Sequence, residues 1–509
     1  MMRAMKKTDD QSGLALADLV QGLATVPANC NVRVTGISAD SRSLRQGNVF
    51  LALPGRREHG WSHASAAIRA GASVILADAS TLACAPELAG IPVLRIPNLS
   101  AVAGVIAARF FADPSAQLGV VGITGTNGKT SISHYIAAAM QEFSGGHAGI
   151  IGTLGNGPVG KLASTALTTP DAISLQAELA RQLAAGVQVI AMEVSSHGLE
   201  LGRVNGVHFR SAVFTNLTRD HLDFHGDMTA YGAAKRRLFE MPDLKQAVVN
   251  LDDEFGRNLM RTCSVRLPVI GYQLLTAALP KTAPENVLLG AMRVSAPGQL
   301  HLDVVGPWGS GQLRCALTGS FNAANVLAAC ATLCTLSVPF ARALELLADV
   351  RAVPGRMEAF RAPGRPTLVV DYAHTPDAVE QALRALRGQC RGRLICVFGC
   401  GGDRDPGKRP QMGRVAEDCA DRVVVTSDNP RSEDAGAIIA AILSGMRQPA
   451  NVIVEPDRAA AITQAVQAAG AEDVILVAGK GHEAYQEIAG RRLPFSDRQL
   501  ARTLLGLDS

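Results

Sequence analysis

Short apolar runs alternate with alanine-rich stretches along most of the chain, which is the pattern of buried strands connected by helices. In the N-terminal part, the runs at 49–53, 74–76 and 93–96 predict three strands. A helix-like stretch at 99–111 then leads toward the next core. The pattern therefore predicts a small N-terminal α/β domain over residues 1–99.

A second group of apolar runs begins with LGVVGIT at 118–124, which a glycine-rich turn and a helical stretch follow. Further runs at 187–192, 212–215 and 247–251 predict buried strands of the same sheet. A strand that enters a glycine-rich turn and then a helix is typical of nucleotide-binding folds. We expect a central domain over residues 100–350, built on a doubly wound sheet of the phosphate-loop type.

A domain boundary is indicated by the segment VPGRMEAFRAPGRP at 353–366, which concentrates proline and glycine ahead of a new strand, TLVVDY. Apolar runs and helical stretches then alternate again. The runs that predict strands are 394–398, 423–426, 451–454 and 474–477. This regular alternation predicts a Rossmann-like parallel sheet in a C-terminal domain over residues 351–509, so the whole chain is expected to be a three-domain α/β protein.

Length and composition agree with this layout and exclude some functions. The 509 residues exceed what one hydrophobic core usually serves, and 47% of them are hydrophobic. The net charge of +4 gives no polycationic surface, so we expect no nucleic-acid partner, whereas a small anionic substrate is compatible. The ten scattered cysteines and the lack of an apolar run of membrane-spanning length lead us to expect a cytoplasmic protein without a membrane span.

A phosphate-binding loop is predicted at GITGTNGKTS, residues 122–131, because this segment follows an apolar strand and opens a helix. In such a loop Lys129 meets the β- and γ-phosphates, and the Thr130 hydroxyl is offered to Mg²⁺. The spacing is a variant, since Ile123 stands where the common pattern has glycine. The alternative is a glycine-rich turn that merely ends in Lys-Thr.

Two polar clusters follow apolar strands, where ligands bind in open α/β sheets. The first, MEVSSHGLELGR, carries Glu193 at the end of a strand, where a carboxylate suits Mg²⁺. The second, beginning TNLTRDHLDFHG, places His221 and Lys235 on either side of a loop. A lone histidine is usually structural, but this one lies in a dense group with Asp220, Asp223 and His225. Lys235 by itself reads as an exposed helix lysine.

Together, an ordered set of motifs resembles the Mur ligase family of peptidoglycan synthesis along nearly the whole chain. The motifs are GTNGKT, EVSSHGL, TNLTRDHLDFHG, GSFNAANVLAA, PGRME, DYAHTP, GCGGDRDPGKRP, DNPR and GKGHE. The resemblance implies an ATP-dependent ligase that converts a carboxylate into an acyl phosphate and couples it to an amine. The branch it indicates adds meso-diaminopimelate to the D-glutamate γ-carboxylate of a UDP-muramoyl dipeptide.

For the reaction centre, the resemblance implies that CO₂ carbamylates Lys235, which turns a cation into a carboxylate-like ligand for Mg²⁺. It makes His221 a partner ligand, places Glu193 and Thr130 near a second ion, and assigns catalytic roles to Lys129, Lys235, His221 and His374. The residues it assigns to ATP are Gly125, Thr126, Asn127, Gly128, Lys129 and Thr130, with Asn322 and Asn325 at adenine and Arg356, Asp371 and His374 across a closing cleft. The alternatives are asparagines that cap a helix and strand-end polar residues.

The resemblance also assigns residues to the two other substrates. For the UDP-muramoyl dipeptide these are Ser41, Arg56, His59, Thr168, Thr169, Ser195 and Arg203, and Leu201 departs from a polar residue that is frequent in the family. For diaminopimelate they are Arg404, Asp428, Asn429, Pro430, Arg431, Gly479 and Glu483. Arg431 would pair with the carboxylate that distinguishes diaminopimelate from lysine. The alternative for DNPR is an Asx-Pro turn that opens a helix.

Rival functions stay open at this point. DNPR argues against the lysine-adding branch, and the uridine-site residues argue against the folylpolyglutamate synthase branch. A nucleotide-binding protein that has lost the chemistry is disfavoured by Lys129, Glu193, His221 and Lys235, which are all present. Because water must be kept from the acyl phosphate, we expect the C-terminal domain to close over the central one. We also expect the protein to be a monomer.

Overall fold

The computed structural model describes residues 13–55, 58–81, 87–294, 296 and 298–507. The N-terminal sheet has five strands in the order β3-β4-β5-β7-β6, and only β6 runs antiparallel to its neighbour. The elements of this unit are β1 (Leu14–Ala15), β2 (Arg33–Val34), β3 (Gly36–Ser38), β4 (Asn48–Ala52), β5 (Ala72–Asp78), β6 (Glu87–Leu88), β7 (Ile91–Ile96), α1 (Leu16–Leu19), α2 (Ala64–Arg69) and α3 (Leu99–Phe110). The three predicted strands and the helix at 99–111 are confirmed.

The central sheet has ten strands in the order β10-β9-β11-β8-β12-β13-β14-β15-β16-β17. The strands from β9 to β15 in this order are parallel to one another, and β10, β16 and β17 pair antiparallel. The strands are β8 (Gly119–Thr124), β9 (Ala148–Gly152), β10 (Gly155–Pro158), β11 (Val189–Glu193), β12 (Phe209–Phe214), β13 (Gln246–Asn250), β14 (Val269–Leu275), β15 (Val287–Met292), β16 (Leu300–Gly306) and β17 (Gly309–Cys315). The predicted doubly wound centre is confirmed. The antiparallel strands β16 and β17 at one edge of the sheet were not predicted.

Helices cover both faces of this sheet. They are α4 (Lys129–Phe143), α5 (Ala172–Ala184), α6 (Ser196–Glu200), α7 (Leu222–His225), α8 (Met228–Arg236), α9 (Glu254–Cys263), α10 (Ser320–Thr335) and α11 (Phe340–Ala348). Successive residues of β8 point to opposite faces. Val120 joins the core with Leu175 of α5, and Val121 joins the core with Ile136 of α4. A strand buried on both faces must be continuously apolar, which explains the run LGVVGIT.

The C-terminal sheet has six strands in the order β18-β19-β23-β20-β21-β22, parallel except for β18. The elements are β18 (Glu358–Phe360), β19 (Thr367–Asp371), β20 (Leu394–Phe398), β21 (Arg422–Val425), β22 (Ile453–Val454), β23 (Val474–Ala478), β24 (Tyr485–Ile488), β25 (Arg491–Pro494), α12 (Pro376–Arg387), α13 (Lys408–Cys419), α14 (Ala435–Leu443), α15 (Arg458–Gln467) and α16 (Asp497–Leu505). The predicted parallel sheet is confirmed. An antiparallel hairpin, β24 with β25, stands outside the sheet.

The carboxyl ends of the central and C-terminal strands open toward one another, and the polar motifs occupy the loops at these ends. Strand β8 leads into the glycine-rich loop, β11 ends at Glu193, and β19 ends at Asp371. This is where ligands bind in open parallel sheets. Within the described part of the chain, no helix combines the length and the apolar character needed to cross a membrane. The domain limits at 99/100 and 350/351 stay predictions.

Candidate active site

A cleft of about 1350 Å³ lies between the central and C-terminal sheets. Residues expected at three different ligands line it together. From the expected ATP set these are Thr126, Asn127, Gly128, Lys129, Thr130, Asn322, Asn325, Arg356, Asp371 and His374, and from the other sets Thr168, Thr169, Glu193, Ser195, Arg203, His221, Arg404, Asp428, Asn429, Arg431, Gly479 and Glu483. The motifs are therefore brought to one site although they are spread over most of the sequence.

The glycine-rich loop has the backbone of an anion-binding site. Lys129 begins helix α4, so the helix N-terminus faces the cleft with its unpaired N–H groups. Gly128 has φ +89°, and a Cβ there would lie 2.6 Å from Oδ1 of Asn325, so only glycine fits. The Lys129 ammonium donates to the carbonyls of Gly125 and Thr126, each at 2.8 Å. Burial lowers the pKa of Lys129, opposed by the charges of Glu193 and Asp220.

Glu193 and Thr130 form an oxygen pair at the mouth of the loop. The Thr130 hydroxyl donates to Oε2 of Glu193 at 2.8 Å, and the amide of Thr153 donates to Oε1 at 2.7 Å. Arg356 reaches this pair from the C-terminal sheet and donates to Oγ1 of Thr130 at 3.2 Å. A hydroxyl and one carboxylate beside a phosphate site fit Mg²⁺, which takes a few protein oxygens and completes its shell with phosphate and water. Among the described residues, no group of three or more His, Cys, Asp or Glu side chains is arranged to hold a metal.

Asp220 lies at the centre of the cleft and joins its two walls. Its carboxylate is 3.4 Å from Nε2 of His221, 3.5 Å from Nε2 of His374 and 3.6 Å from Nζ of Lys408. Burial raises the pKa of Asp220, but the hydrogen bond from His374 and the charge of Lys408 outweigh it and hold the pKa well below its usual range. Burial also lowers the pKa of His221 to about 3. Asp220 and His221 of the expected cluster therefore lie together with His374 and Lys408 from the opposite wall, whereas His225 bonds Ser196 and does not line the cleft.

Lys235 is not the exposed helix lysine that its sequence context suggests. It lies in the last turn of α8, is only 1% exposed, and donates from Nζ to the carbonyl of Gly125 at 2.8 Å. Its ammonium also lies 4.3 Å from the ring centre of Tyr231. Burial and the nearby charge of Lys129 lower its pKa well below the usual value. The reading as an exposed lysine is wrong, because α8 turns this face onto the phosphate loop.

The two expected adenine residues lie inside α10 and point into the cleft. Asn325 donates to Oδ1 of Asn322 at 3.3 Å, and Asn322 donates to the carbonyl of Thr318 at 2.9 Å. Neither asparagine caps the helix, since α10 begins at Ser320 after Gly319. The helix-cap alternative is therefore wrong.

Across the cleft, the C-terminal sheet presents Arg356, Asp371 and His374. The Arg356 guanidinium stacks on the Tyr372 ring at 4.2 Å. Asp371 accepts from the amides of Met357 at 2.6 Å and Ala373 at 2.8 Å, and burial raises its pKa. Backbone contacts thus fix Asp371, and the aromatic ring aims Arg356 at the phosphate loop.

The residues expected at the UDP-muramoyl dipeptide are only partly brought together. Thr169 donates to the carbonyl of Glu193 at 2.9 Å, and Arg203 donates to the carbonyl of Thr169 at 2.9 Å, so these two and their neighbours Thr168 and Ser195 line the cleft. Leu201 is 42% exposed.

In the N-terminal unit, Ser41 and His59 are not among the residues that line the cleft. His59 accepts from the amide of Trp61 at 3.1 Å, and Ser41 lies between Asp40 and Arg42, which pair with each other at 2.8 Å. Arg56 lies outside the described residues. The expected uridine end of the site is therefore separate from the cleft in this structure, and its role stays a prediction.

The DNPR segment does not open a helix. Helix α14 begins at Ala435, after Asp434 caps it by accepting from the amide of Ala437. Arg431 instead has φ +53° and pairs through its backbone with the hairpin at Ile488. The alternative in which DNPR opens a helix is wrong, because Arg431 of this segment pairs with strand β24 of the hairpin instead. Pro430 and Gly125 are buried and do not line the cleft.

Several polar contacts join the two walls and were not assigned from the sequence. Arg219 donates to both oxygens of Asp405, at 3.0 and 3.2 Å, and Asn127 donates to Asp377 at 3.2 Å. Lys408, which pairs with Asp220, lies in the motif GCGGDRDPGKRP, and that motif was its only signal. These contacts tie the central and C-terminal walls of the cleft to each other.

Three family models match successive parts of the chain. They are described as the Mur ligase family, catalytic domain at residues 33–111, the Mur ligase middle domain at 123–333, and the Mur ligase, glutamate ligase domain at 355–481. A protein of Alkalilimnicola ehrlichii is 47% identical over 480 residues, which are 93% of this chain and 95% of that protein. The chain belongs to the Mur ligase family.

Relatives within the Mur ligase family carry a specific name. The Alkalilimnicola protein and one of Chromobacterium violaceum, 49% identical over 473 residues (92% of this chain and 94% of that one), are both named "UDP-N-acetylmuramoyl-L-alanyl-D-glutamate--2,6-diaminopimelate ligase". A solved structure with the same name is 32% identical, covers 97% of this chain and 99% of its own, and has a TM-score of 0.68. A folylpolyglutamate synthase of Mycobacterium tuberculosis complexed with ADP and AMPPCP is 21% identical with a TM-score of 0.61, covering 80% of this chain and 96% of its own, and shares the fold alone.

Proposed function

We propose that this Mur ligase uses ATP to join meso-2,6-diaminopimelate to the D-glutamate γ-carboxylate of UDP-N-acetylmuramoyl-L-alanyl-D-glutamate, through an acyl phosphate, in peptidoglycan precursor synthesis. The observation that carries the proposal is the single cleft in which the phosphate loop faces Asp428, Asn429, Arg431 and Glu483. One end suits a nucleotide, and the other suits an amino acid with an additional carboxylate. The names of the two relatives at 47% and 49% identity support it.

The position of each residue in the cleft indicates its role in the reaction. Lys129 and the loop amides would hold the β- and γ-phosphates, while Arg356 approaches the same place from the opposite wall. A γ-carboxylate oxygen would attack the γ-phosphorus, and the bond to the ADP oxygen would break. The diaminopimelate amine would then attack the acyl carbon, lose a proton and expel phosphate. Placing the three reactants in one cleft lowers the entropic cost of both attacks.

Mg²⁺ would be held by Thr130 and Glu193, and by His221 with a carbamate on Lys235, and its charge would neutralise the phosphate oxygens. A carbamate requires a neutral amine that can add to CO₂. Lys235 supports this part of the proposal because its pKa is well below the usual value and its Nζ lies 2.8 Å from the loop carbonyl of Gly125. The cytoplasmic location and the monomeric state stay predictions.

The direct test is turnover by the purified protein. It would be incubated with ATP, Mg²⁺, the UDP-muramoyl dipeptide and either meso-diaminopimelate or L-lysine, and phosphate release and product mass would be followed. We expect an amide product with diaminopimelate alone and no phosphate release when the dipeptide is omitted. Equal use of lysine would contradict the assigned amino acid, and the absence of product with both would contradict the ligase reaction.

Arg431 is expected to select diaminopimelate. Its guanidinium is held by the carbonyl of Gly402 at 2.5 Å and by Glu487 at 3.8 Å, and it lines the cleft. Arg431→Leu should raise the KM for diaminopimelate about 30-fold or more, since a lost charge-assisted pair costs about 2–5 kcal/mol. Arg431→Lys should restore the affinity for diaminopimelate only in part, because the lysine ammonium lacks the planar fork of the guanidinium.

Steady-state kinetics with each substrate varied in turn would check the role of Arg431, with Arg414→Leu on the exposed face of α13 as the control. An unchanged ratio of kcat/KM between diaminopimelate and lysine in Arg431→Leu would contradict the selecting role.

Closure of the C-terminal unit over the phosphate loop is part of the proposed mechanism, because water would hydrolyse the acyl phosphate. Arg219→Met removes both hydrogen bonds to Asp405. We expect kcat to fall about tenfold and the decrease in radius of gyration on adding nucleotide and dipeptide to become smaller in small-angle scattering. Arg384→Met breaks an exposed pair with Glu380 on the surface of α12 and serves as the control. The absence of compaction in the unsubstituted protein would contradict closure.

A further inference from the structure

We propose that Lys480 is a positioning residue that holds Asn429 and Glu483 in the geometry that receives the amine of the incoming amino acid. This inference rests on the proposed function. Lys480 belongs to the motif GKGHE, follows strand β23, and its side chain is fully buried (0% exposed). It is not among the residues that line the cleft, so it acts through its neighbours.

Three hydrogen bonds close a triangle around the Lys480 ammonium. Nζ donates to Oδ1 of Asn429 and to Oε2 of Glu483, each at 2.9 Å. Nδ2 of Asn429 also donates to Oε2 of Glu483, at 2.7 Å. Asn429 and Glu483 belong to separate motifs, and both line the cleft. The buried cation therefore ties the DNPR loop to the GKGHE loop.

The triangle fixes which atoms face an incoming ligand. Oδ1 of Asn429 accepts from Lys480 and also from the amide of Glu487 at 2.9 Å, so a flipped amide would point its NH₂ at two donors. Oε2 of Glu483 receives two donors, whereas no hydrogen bond from the described residues engages Oε1. Oε1 of Glu483 is thus left to accept from a ligand ammonium, and the hydrogen bond from Lys480 to Oε2 fixes its position.

The charge balance points the same way. Asp428 and Glu483 both line this end of the cleft, and a positively charged amine would be drawn to them. An additional positive group beside these carboxylates on the cleft side would repel that amine. Lys480 stands behind the two side chains that it holds, where its charge offsets part of the negative charge without occupying the amine site.

The test uses Lys480→Met, which keeps the length of the side chain and removes its three donors. We expect the KM for diaminopimelate to rise about 10- to 100-fold, while kcat and the KM values for ATP and the dipeptide change less than about threefold. Lys480→Arg should recover part of the loss. Lys245→Met, which removes an exposed lysine far from the cleft, is the matched control.

A double-mutant cycle with Glu483→Gln separates positioning from packing. If Lys480 acts through Glu483, Lys480→Met should raise the KM for diaminopimelate much less in the Glu483→Gln background than alone. Additive effects, an unchanged KM, or a parallel change in all kinetic constants would overturn the inference. The absence of turnover by the unsubstituted enzyme would overturn the proposed function and this inference with it, whereas normal turnover with an unchanged KM in Lys480→Met would overturn this inference alone.

Discussion

Replacing Lys235 by alanine is expected to lower kcat by about 1000-fold or more, and millimolar formate or acetate is expected to restore part of it. The loss corresponds to about 4 kcal/mol of transition-state stabilisation, which is the range that a metal-bound anion near transferring phosphate contributes. A small carboxylate could enter the space left by the side chain and supply the missing oxygens. An ordinary structural lysine would not respond to carboxylates in this way.

The reason to expect a carbamate at Lys235 is its surroundings. A buried ammonium needs partners for its charge, but Nζ has the carbonyl of Gly125 at 2.8 Å and the Tyr231 ring at 4.3 Å. Burial and the charge of Lys129 lower its pKa well below the usual value, which favours the neutral amine that adds to CO₂. A lysine on an exposed helix face would stay protonated and would not react.

Two readouts check the role of Lys235. Steady-state kinetics of Lys235→Ala with and without formate would measure the loss and its rescue, and Lys161→Ala at an exposed lysine is the control. Independently, ¹³C NMR of the unsubstituted protein in ¹³C-bicarbonate should show a carbamate signal that is absent from Lys235→Ala. Full activity of Lys235→Ala, or identical spectra of the two proteins, would contradict the carbamate.

The parallel sheets could be predicted from the sequence because strands buried on both faces are continuously apolar. The run at 394–398 became β20 (Leu394–Phe398) with the same limits. Buried apolar strands such as β9 (Ala148–Gly152) and β15 (Val287–Met292) were not predicted either, but two of the other missed strands carry a weaker signal. In β17 (Gly309–Cys315) glycine and polar residues dominate and most positions are exposed, and β25 (Arg491–Pro494) is exposed throughout. Such strands are held by their neighbours, not by their own pattern.

The features of the site also divide into those that the sequence predicts and those that it does not. Motifs at strand ends converge because the carboxyl ends of parallel strands open toward one cleft, which is a general rule of the fold. Contacts between the two walls, such as Asp220 with Lys408, depend on how the sheets face each other and leave no local signal. The burial of Lys235 was missed for a related reason, since α8 buries this face only against the folded phosphate loop.

Removing Asp497 is expected to destabilise the C-terminal unit by about 3–5 kcal/mol. Asp497 and Arg458 form a two-pronged pair, at 2.8 and 2.7 Å, and both side chains are fully buried (0% exposed). Arg458 also donates to the carbonyl of Ala478 at 2.9 Å, at the end of β23. Asp497→Ala would leave a buried guanidinium without its counter-ion, which costs far more than the pair contributes.

The measurement is the free energy of unfolding in urea. The full chain is unfolded, and the transition is monitored by a spectroscopic signal that comes from the C-terminal unit. Arg458→Met combined with Asp497→Leu should recover most of the loss, because an apolar pair of similar volume needs no counter-ion. Exposed Arg447→Met is the control. A loss below about 1 kcal/mol in Asp497→Ala would mean that the guanidinium rehydrates or finds another partner, against the burial seen here.

The same double substitution distinguishes two roles of the buried pair. Arg458 contacts the carbonyl of Ser427 at 3.5 Å as well as that of Ala478, and the residues after these carbonyls are Asp428 and Gly479 of the amino-acid end of the cleft. If the pair only stabilises the fold, the double variant should regain both stability and the KM for diaminopimelate. We expect stability to return while the KM stays raised several-fold, because an apolar pair cannot hold the two carbonyls in place.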